Sequence, residues 1–146
     1  MSQRQFATAS EAERAFYEAL EQADLEGVMA VWATDEEVIC IHPSGPRLEG
    51  FDAIRESWRQ VFSQGNRLKF RLTDVRKFEG MLFAVHVLCE WVSEASTPRQ
   101  SAPVFATNTY VLTDRGWRMV LHHASPAPQG AMPDEETKRD MRALLH

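Results

Sequence analysis

Two adjacent histidines, His122 and His123, close an apolar run near the end of the sequence, GWRMVLHHASP at 116–126. Neighbouring imidazoles suggest a metal site or a proton-transfer site. In a strand, however, successive side chains point to opposite faces. The two rings therefore do not readily share one metal, and we expect only one of them to face any given cavity.

Other polar side chains occur singly among apolar ones in the same part of the chain, which is typical of the wall of a ligand cavity. Strand alternation sorts the residues into two faces. The first face holds His86, Leu88, Glu90, Asn108, Tyr110, Val120, His122 and Ala124. The second holds Val85, Val87, Phe105, Val111, Trp117 and Met119. Periodicity alone does not decide which face points inwards.

Each candidate also has a structural interpretation. A single histidine on a strand is commonly a hydrogen-bonded core residue, and this applies to His86 and His122. His42 fits either a pocket rim or a turn. Trp58 lies on a helical apolar stripe, so it fits core packing as well as pocket lining. Glu90 stands in an apolar strand and, if buried, needs a partner or a raised pKa.

We predict neither a metal nor a cofactor. His42, His86 and His122 could converge, but they come from three separate strands without local ligand spacing. Cys40 and Cys89 lie far apart inside apolar runs, which indicates buried free thiols. No serine or cysteine of the sequence occupies a nucleophile elbow or a redox motif.

The composition is that of one globular domain. The chain has 146 residues, of which 44% are hydrophobic and 25% charged. Its net charge of −5 argues against nucleic acid and anionic membrane as main partners. The sequence shows neither an apolar signal core at its N-terminus nor the ~18 apolar residues of a membrane span. We therefore expect a cytoplasmic protein with no nucleic-acid or membrane partner.

Hydrophobic periodicity predicts three helices and five strands. The helices fall at 10–24, 25–33 and 50–65, and the strands at 36–43, 68–78, 81–95, 103–113 and 116–125. Ser10 and Glu13 match a capping box for the first helix, and Asp24 can cap the second. Helices that precede a meander of four strands make an α+β domain. Beyond a spacer, residues 134–146 could form a short helix.

Three stretches, ALEQADLEGVMAVWATDEEV, HPSGPRLEGFDAIRESW and NTYVLTDRGWRMVLHHASP, resemble the nuclear transport factor 2-like superfamily and in particular its SnoaL-like branch. The resemblance implies a cystatin-like fold, in which a cone-shaped, curved antiparallel sheet wraps around the N-terminal helices. It also implies a pocket at the open end of the cone. We accordingly expect a single SnoaL-like domain at 1–126 and a C-terminal extension at 127–146.

The resemblance also decides the faces, since it places His122 inside the cone and His123 outside. The ligand-binding pocket predicted in this way consists of His42, Trp58, His86, Glu90, Asn108, Tyr110 and His122.

The stretch LHHASPAP resembles the end of the association domain of calcium/calmodulin-dependent protein kinase II and of its free-standing bacterial relatives, which carries a His-x-His-x-Ser pattern. His123 takes the place of the second histidine. The arginines that point into that family's cone correspond here to His86, Tyr110 and Ala124, so no arginine cluster is expected in this cone.

The ketosteroid isomerases offer a second test within the superfamily. Their tyrosine and their aspartate base correspond to Phe16 and Cys40 in this sequence. A phenyl ring cannot donate a hydrogen bond, and a buried thiol is a poor base, so that isomerase chemistry is not expected. Tyr17 is one step further, about 100° around the helix, and does not obviously replace the missing tyrosine.

Two functions fit these features. The first is a small-molecule-binding domain that acts by acid–base chemistry as a lyase, isomerase or hydrolase, with His86, His122 and Glu90 as proton-handling groups. The alternative is a non-catalytic oligomerisation domain. Three helices cannot cover both faces of four long strands, so we also predict a homodimer formed through the second sheet face.

Overall fold

The computed structural model describes residues 4–65, 67–96 and 103–128. Its helices are α1 (Ala9–Glu21), α2 (Leu25–Val31) and α3 (Phe51–Ser63). Its strands are β1 (Ile39–Ile41), β2 (Arg47–Glu49), β3 (Leu68–Glu79), β4 (Phe83–Glu94), β5 (Pro103–Thr113) and β6 (Gly116–Pro126). The predicted helix at 134–146 and most of the extension at 127–146 lie outside the described residues.

The six strands form one curved sheet in the order β2-β1-β6-β5-β4-β3. The four long strands pair antiparallel in sequence order, as predicted, and β1 joins β6 in parallel. The three helices and the α+β class are likewise confirmed. The three-residue strand β2 was not predicted, because its sequence RLE lies between loop residues and carries no strand pattern of its own. In the described part of the chain, no helix is long and apolar enough to cross a membrane.

The capping of α1 differs from the prediction. The Thr8 side chain accepts a hydrogen bond from the backbone N–H of Glu11, and the Glu11 carboxylate accepts one from the backbone N–H of Ala7. This reciprocal pair is a capping box that starts two residues before the predicted Ser10–Glu13 pair. Glu13 is therefore not a cap. It follows Glu11 by two residues, and its side chain is buried against the sheet. Asp24 caps α2 as predicted, accepting from Gly27.

Helix α1 lies against the inner face of the sheet and supplies much of the core. Its buried side chains fall on adjacent positions of the helical repeat, so its buried face is wide. They are Ala9, Ala12, Glu13, Ala15, Phe16, Tyr17, Ala19 and Leu20. Opposite them, β4 buries Ala84, His86, Leu88 and Glu90, and β5 buries Ala106, Asn108 and Tyr110. Four polar side chains of these strands, His86, Glu90, Asn108 and Tyr110, thus share the core with Glu13 and Tyr17 of the helix.

The last strand does not keep one alternation along its length. Thr109 pairs with Leu121 but Tyr110 pairs with Met119, so Val120 is an extra residue in a β-bulge. The bulge reverses the alternation, and Met119 is fully buried beside Tyr110. The prediction that Trp117 and Met119 lie on the outer face and Val120 on the same face as His122 was therefore wrong. His122 and Ala124, which follow the bulge, are buried as predicted.

Candidate functional site

Glu13 is the centre of a buried hydrogen-bond network. One of its oxygens accepts from the amide of Asn108 and the hydroxyl of Tyr110, at 3.1 and 3.0 Å. The other lies 3.1 Å from Nδ1 of His86. Burial alone would raise the pKa of Glu13, but these hydrogen bonds outweigh it and lower the pKa below its usual value. Glu13 is therefore an ionised acceptor inside the protein, and protein donors take the place of solvent around it.

His86 connects this centre with the edge of the domain. Its ring has no exposed surface, and Nε2 lies 3.4 Å from a carboxylate oxygen of Glu79, whose side chain is about half exposed. The alignment of that contact is too poor for a hydrogen bond, so Nε2 is without a hydrogen-bond partner among the described residues. The ring also packs 5.1 Å from that of Tyr110.

Glu90 is the second buried carboxyl group, and it has a different environment. The Tyr17 hydroxyl donates a hydrogen bond of 2.6 Å to it. Burial raises the pKa of Glu90 to about 7, because this single hydrogen bond only partly offsets the loss of solvent and the charge of Glu13 adds to the shift. Near neutral pH, Glu90 is thus divided between its acid and its carboxylate form.

Asn108 joins the two carboxyl environments to His122. Its amide nitrogen donates to Glu13 and, at 3.0 Å, to the Tyr17 hydroxyl. Its carbonyl oxygen must then accept, so the 2.6 Å contact with His122 Nδ1 places the imidazole proton on Nδ1. Burial lowers the pKa of His122 to about 3, with the nearby rings of His42 and His123 adding to the shift. His122 is therefore neutral, with an unprotonated Nε2.

Aromatic rings cover His122 on the side of α3. Trp58 packs 6.1 Å from His122 and 4.6 Å from His42, and Phe16 lies 5.2 Å from His122. His42 is half-buried at the end of β1, where its Nε2 lies 3.0 Å from the hydroxyl of Ser57. Trp58 is 5% exposed, yet its indole N–H has no hydrogen-bond partner among the described residues. The ring that packs against His122 therefore carries a buried donor without an acceptor in the described part of the chain.

The two cysteines are buried and free. Cys40 pairs with His122 across β1 and β6, so both side chains are on the same face of the sheet. Burial and the proximity of Glu90 raise the pKa of Cys40 to about 12. Its sulfur remains a thiol at physiological pH and is not a candidate nucleophile.

All seven residues of the predicted pocket belong to one contiguous cluster. His86, Asn108, Tyr110 and His122 are 0–3% exposed, so this cluster is filled by side chains in the structure. His122 lies inside and His123 is exposed, in agreement with the predicted orientation. That the cluster forms a ligand pocket stays a prediction. Within the described ranges, no three His, Cys, Asp or Glu side chains are arranged to hold a metal ion.

Sequence reasoning missed the two α1 members of this cluster, Glu13 and Tyr17. A usable signal was present, because Glu13, Phe16, Tyr17 and Leu20 follow the i, i+3, i+4, i+7 spacing of one helix face. A glutamate on such an apolar stripe is a stronger sign of a buried polar group than a glutamate at the start of a helix. Tyr17 had been set aside for lying 100° from Phe16, but the wide buried face of α1 includes both residues.

Solved structures with this fold include two of substantial sequence similarity. A protein from Thiobacillus denitrificans, described as a calcium/calmodulin-dependent protein kinase type II association domain, is 35% identical and superposes with a TM-score of 0.79. The match covers 86% of this chain and 99% of that one. A protein from Streptomyces avermitilis, described as a dehydratase of the NTF2-like family, is 29% identical with a TM-score of 0.76, over 82% and 93% of the two chains.

Sequence comparison identifies the family. The F-box protein SKIP8 of Arabidopsis thaliana is 26% identical over 113 residues, which are 75% of this chain but only 46% of that protein. The chain thus spans less than half the length of this relative. The family model of the SnoaL-like domain matches residues 10–129. The predicted superfamily is confirmed: the chain belongs to the SnoaL-like domain family, within the NTF2-like fold.

Proposed function

We propose that the region bounded by Glu90, His122 and Trp58 binds a small polar molecule and transfers a proton on it. The observation that carries the proposal is a buried carboxyl group with a pKa of about 7, Glu90, which is linked through Tyr17 and Asn108 to His122. Trp58, which packs against His122, has an indole N–H without an acceptor among the described residues. A general acid–base group is most effective when its pKa is close to the working pH. Strongly shifted groups concentrate at functional sites.

The three side chains take different roles in this proposal. Glu90 moves the proton, because it exchanges between its two forms near neutral pH. His122 has a pKa of about 3 and is too weak a base for that task, so it accepts a hydrogen bond from the ligand through Nε2. The Trp58 indole N–H donates to a ligand oxygen. In this proposal Glu90, and not His122, is the proton-handling group.

A dehydration illustrates how the arrangement would work. Ionised Glu90 takes a proton from the carbon between a carbonyl group and a carbinol carbon. The resulting carboxylic acid returns that proton to the hydroxyl group, which leaves as water as the double bond forms. Similarity to the Streptomyces protein described as a dehydratase supports this class of reaction.

Access to this region requires α3 to move. Of the thirteen residues of α3, Ile54 and Trp58 are the fully buried ones. Its other apolar side chains Phe51, Val61 and Phe62 are only partly buried against the core, and we propose that α3 moves to open the cone. A ligand would then take the place of the Trp58 ring in front of His122. Once the ring has turned aside, its indole N–H can donate a hydrogen bond to that ligand.

Incubation of the protein with 4-hydroxy-2-butanone and related β-hydroxy ketones in D₂O tests the proposal. We expect the protein to accelerate exchange of the hydrogens next to the carbonyl group about tenfold or more over buffer. Glu90→Gln should abolish the acceleration, whereas Glu18→Gln, on the exposed side of α1, should retain it. Exchange at the buffer rate across the panel, or full activity in Glu90→Gln, would contradict the proposal.

Assembly is a second candidate function, and two observations favour it. The polar cluster in the core is packed without exposed surface, which suits a structural role. The outer sheet face carries apolar side chains that none of the three described helices covers, with Phe78, Phe83 and Val87 at 65%, 56% and 38% exposed. A second copy of the chain would cover this face through a two-fold interface. The similar kinase association domain supports this candidate.

Light scattering at micromolar concentration tests assembly. We expect twice the chain mass of 16.7 kDa. Val87→Glu, which introduces a charge at the centre of the face, should give the monomer mass. Gln60→Glu adds the same charge on exposed α3 and should leave the dimer intact. A monomeric wild-type protein would exclude this candidate without affecting the first.

A further inference from the structure

A concave region lies outside the cone. It is a cleft of about 830 Å³ between α2, the start of α3, the β5–β6 turn and the N-terminal segment. None of the polar side chains of the core network lines it. Apolar side chains of Met29, Trp32 and Leu112 form part of its wall, and four arginines surround it: Arg4, Arg55, Arg115 and Arg118.

Arg118 is a buried cation in this wall. It is 5% exposed, and its guanidinium donates to the backbone carbonyls of Trp117 and Arg4, at 2.9 and 2.5 Å. It also stacks on the ring of Phe6 at 5.1 Å. No carboxylate among the described residues pairs with it. Burial and the neighbouring charge of Arg115 lower the pKa of Arg118, so its surroundings disfavour its charge.

Trp32 supplies a second unused group in the same wall. It is 1% exposed, and its indole Nε1–H has no acceptor within the described part of the chain. A buried donor without an acceptor costs about 1–3 kcal/mol. Within the described part of the chain, Arg118 has no carboxylate partner and the Trp32 N–H has no acceptor, and both residues line this one cleft.

The rim of the cleft limits the charge of a ligand. Four acidic side chains also line it, namely Glu26, Asp35, Glu36 and Asp114, and Glu26 pairs with Arg55 at the surface. Four arginines and four acids give a formal sum of zero, so the cleft has no general attraction for polyanions. The four acidic side chains of the rim repel a ligand with one negative charge less than a ligand with several, so a singly charged group can approach Arg118.

We propose that this cleft binds a small carboxylate attached to an apolar body, with Arg118 pairing with the carboxylate, Trp32 donating to it, and Met29 and Leu112 contacting the apolar part. A guanidinium and a carboxylate match in geometry and can form two parallel hydrogen bonds. The cleft is separate from the acid–base region, and its occupation does not depend on the function proposed there.

Titration of ¹⁵N-labelled protein with benzoate, followed through the indole N–H signals, tests this site. We expect a saturable shift of the Trp32 signal with a dissociation constant in the millimolar range, and none with neutral benzamide. Phenyl phosphate, with its second charge, should bind more weakly than benzoate. An unresponsive Trp32 signal, an equal response to benzamide, or tighter binding of phenyl phosphate would overturn the proposal. A saturable shift of Trp58 alone would place benzoate in the cone instead.

Variants separate the site from general effects of charge. Arg118→Gln should abolish the Trp32 response, whereas Arg118→Lys should retain part of it. If Arg118→Gln does not fold, Leu112→Asp provides the test, since Leu112 is 44% exposed at the edge of the cleft. An added negative charge there should weaken benzoate binding about fivefold. Gln60→Glu, outside the cleft, should bind as the wild type does. Unchanged binding in Leu112→Asp would contradict the assignment.

Discussion

Glu13 and Glu90 are two buried carboxyl groups of one hydrogen-bond network, but their environments lead to opposite protonation behaviour. Both are at most 6% exposed. Glu13 accepts from His86, Asn108 and Tyr110, and its pKa is lowered. Glu90 accepts from Tyr17 and its pKa is raised to about 7. Both groups are buried, but three donors, including the nearby His86, favour the charge of Glu13, whereas Glu90 has one donor and lies near the charge of Glu13.

The difference separates the core into a part with fixed protonation and a part whose protonation changes near neutral pH. Around Glu13, each oxygen of the carboxylate has partners, and the charge is fixed. Glu90 is linked through Tyr17 and Asn108 to His122, and Trp58, which packs against His122, has an indole N–H without an acceptor among the described residues. Satisfied buried networks give rigidity, whereas incompletely satisfied ones are candidates for binding.

Removal of the Glu13 acceptor should have the largest effect. Glu13→Ala leaves the donors of His86, Asn108 and Tyr110 buried without their acceptor, each at a cost of about 1–3 kcal/mol. We expect the free energy of unfolding in urea to fall by about 4 kcal/mol, which is a large part of the stability of such a domain. Glu18→Ala, on the exposed side of the same helix, should change it by less than about 0.5 kcal/mol. A loss below 1 kcal/mol in Glu13→Ala would show that the network is not structural.

Glu90→Gln should stabilise the protein, but only at higher pH. The pKa of Glu90 is raised on folding from 4.5 to about 7, so the folded state retains a proton that the unfolded state releases. Stability is therefore lost as pH rises from about 4.5 to 7 and is constant above that range. Glutamine has no proton to lose, and we expect a gain of roughly 3 kcal/mol at pH 8 relative to pH 4. A gain that is equal at both pH values would contradict the raised pKa.

Tyr17→Phe should widen the difference between the pKa of Glu90 and that of Glu13. The Tyr17 hydroxyl is the donor that holds the pKa of Glu90 down, so its removal should raise that pKa by about one unit. The carboxyl ¹³C signal of Glu90, followed through a pH titration, measures the change. Tyr110→Phe, which removes a donor to Glu13 instead, provides the comparison and should leave the Glu90 titration nearly in place.

His122 should show the smallest response to pH. Its pKa is lowered to about 3, from an ordinary value of 6.5, because the ring is buried. The ring ¹³C signals of His122 should therefore stay constant from pH 8 to pH 5. The stability linked to this group is present above pH 6.5 and is lost as pH falls towards 3, because only the unfolded state binds the proton there. A midpoint above pH 5 would restore His122 as a proton-handling residue.

The fold could be predicted from the sequence to a considerable extent, because most of its information is local. Apolar spacing identified the three helices and four long strands, and turn residues separated them. The bulge at Val120 could not be seen, since an extra residue leaves the composition of the strand unchanged and shows only in the pairing with Thr109 and Tyr110.

The candidate site was predictable on the sheet but not on the helix. A period of two places His86 and Glu90 on one face of β4 and Asn108 and Tyr110 on one face of β5. The resemblance placed both sets inside the cone, and the structure buries all four. On α1, Glu13 matched a capping pattern as well as a buried stripe, and only tertiary contacts decide between these. Protonation was beyond sequence reasoning, because it depends on donors from residues more than 70 positions away.

The pKa of Glu90 in the folded protein is the most direct test of the account. Its side-chain carboxyl ¹³C signal, assigned by its absence in Glu90→Gln, can be titrated alongside that of Glu13 under folding conditions. The account predicts a midpoint of about 7 for Glu90 and one below 4.5 for Glu13. A Glu90 midpoint at or below 4.5 would contradict it, because both carboxylates would then be permanently charged and the acid–base function would lose its basis.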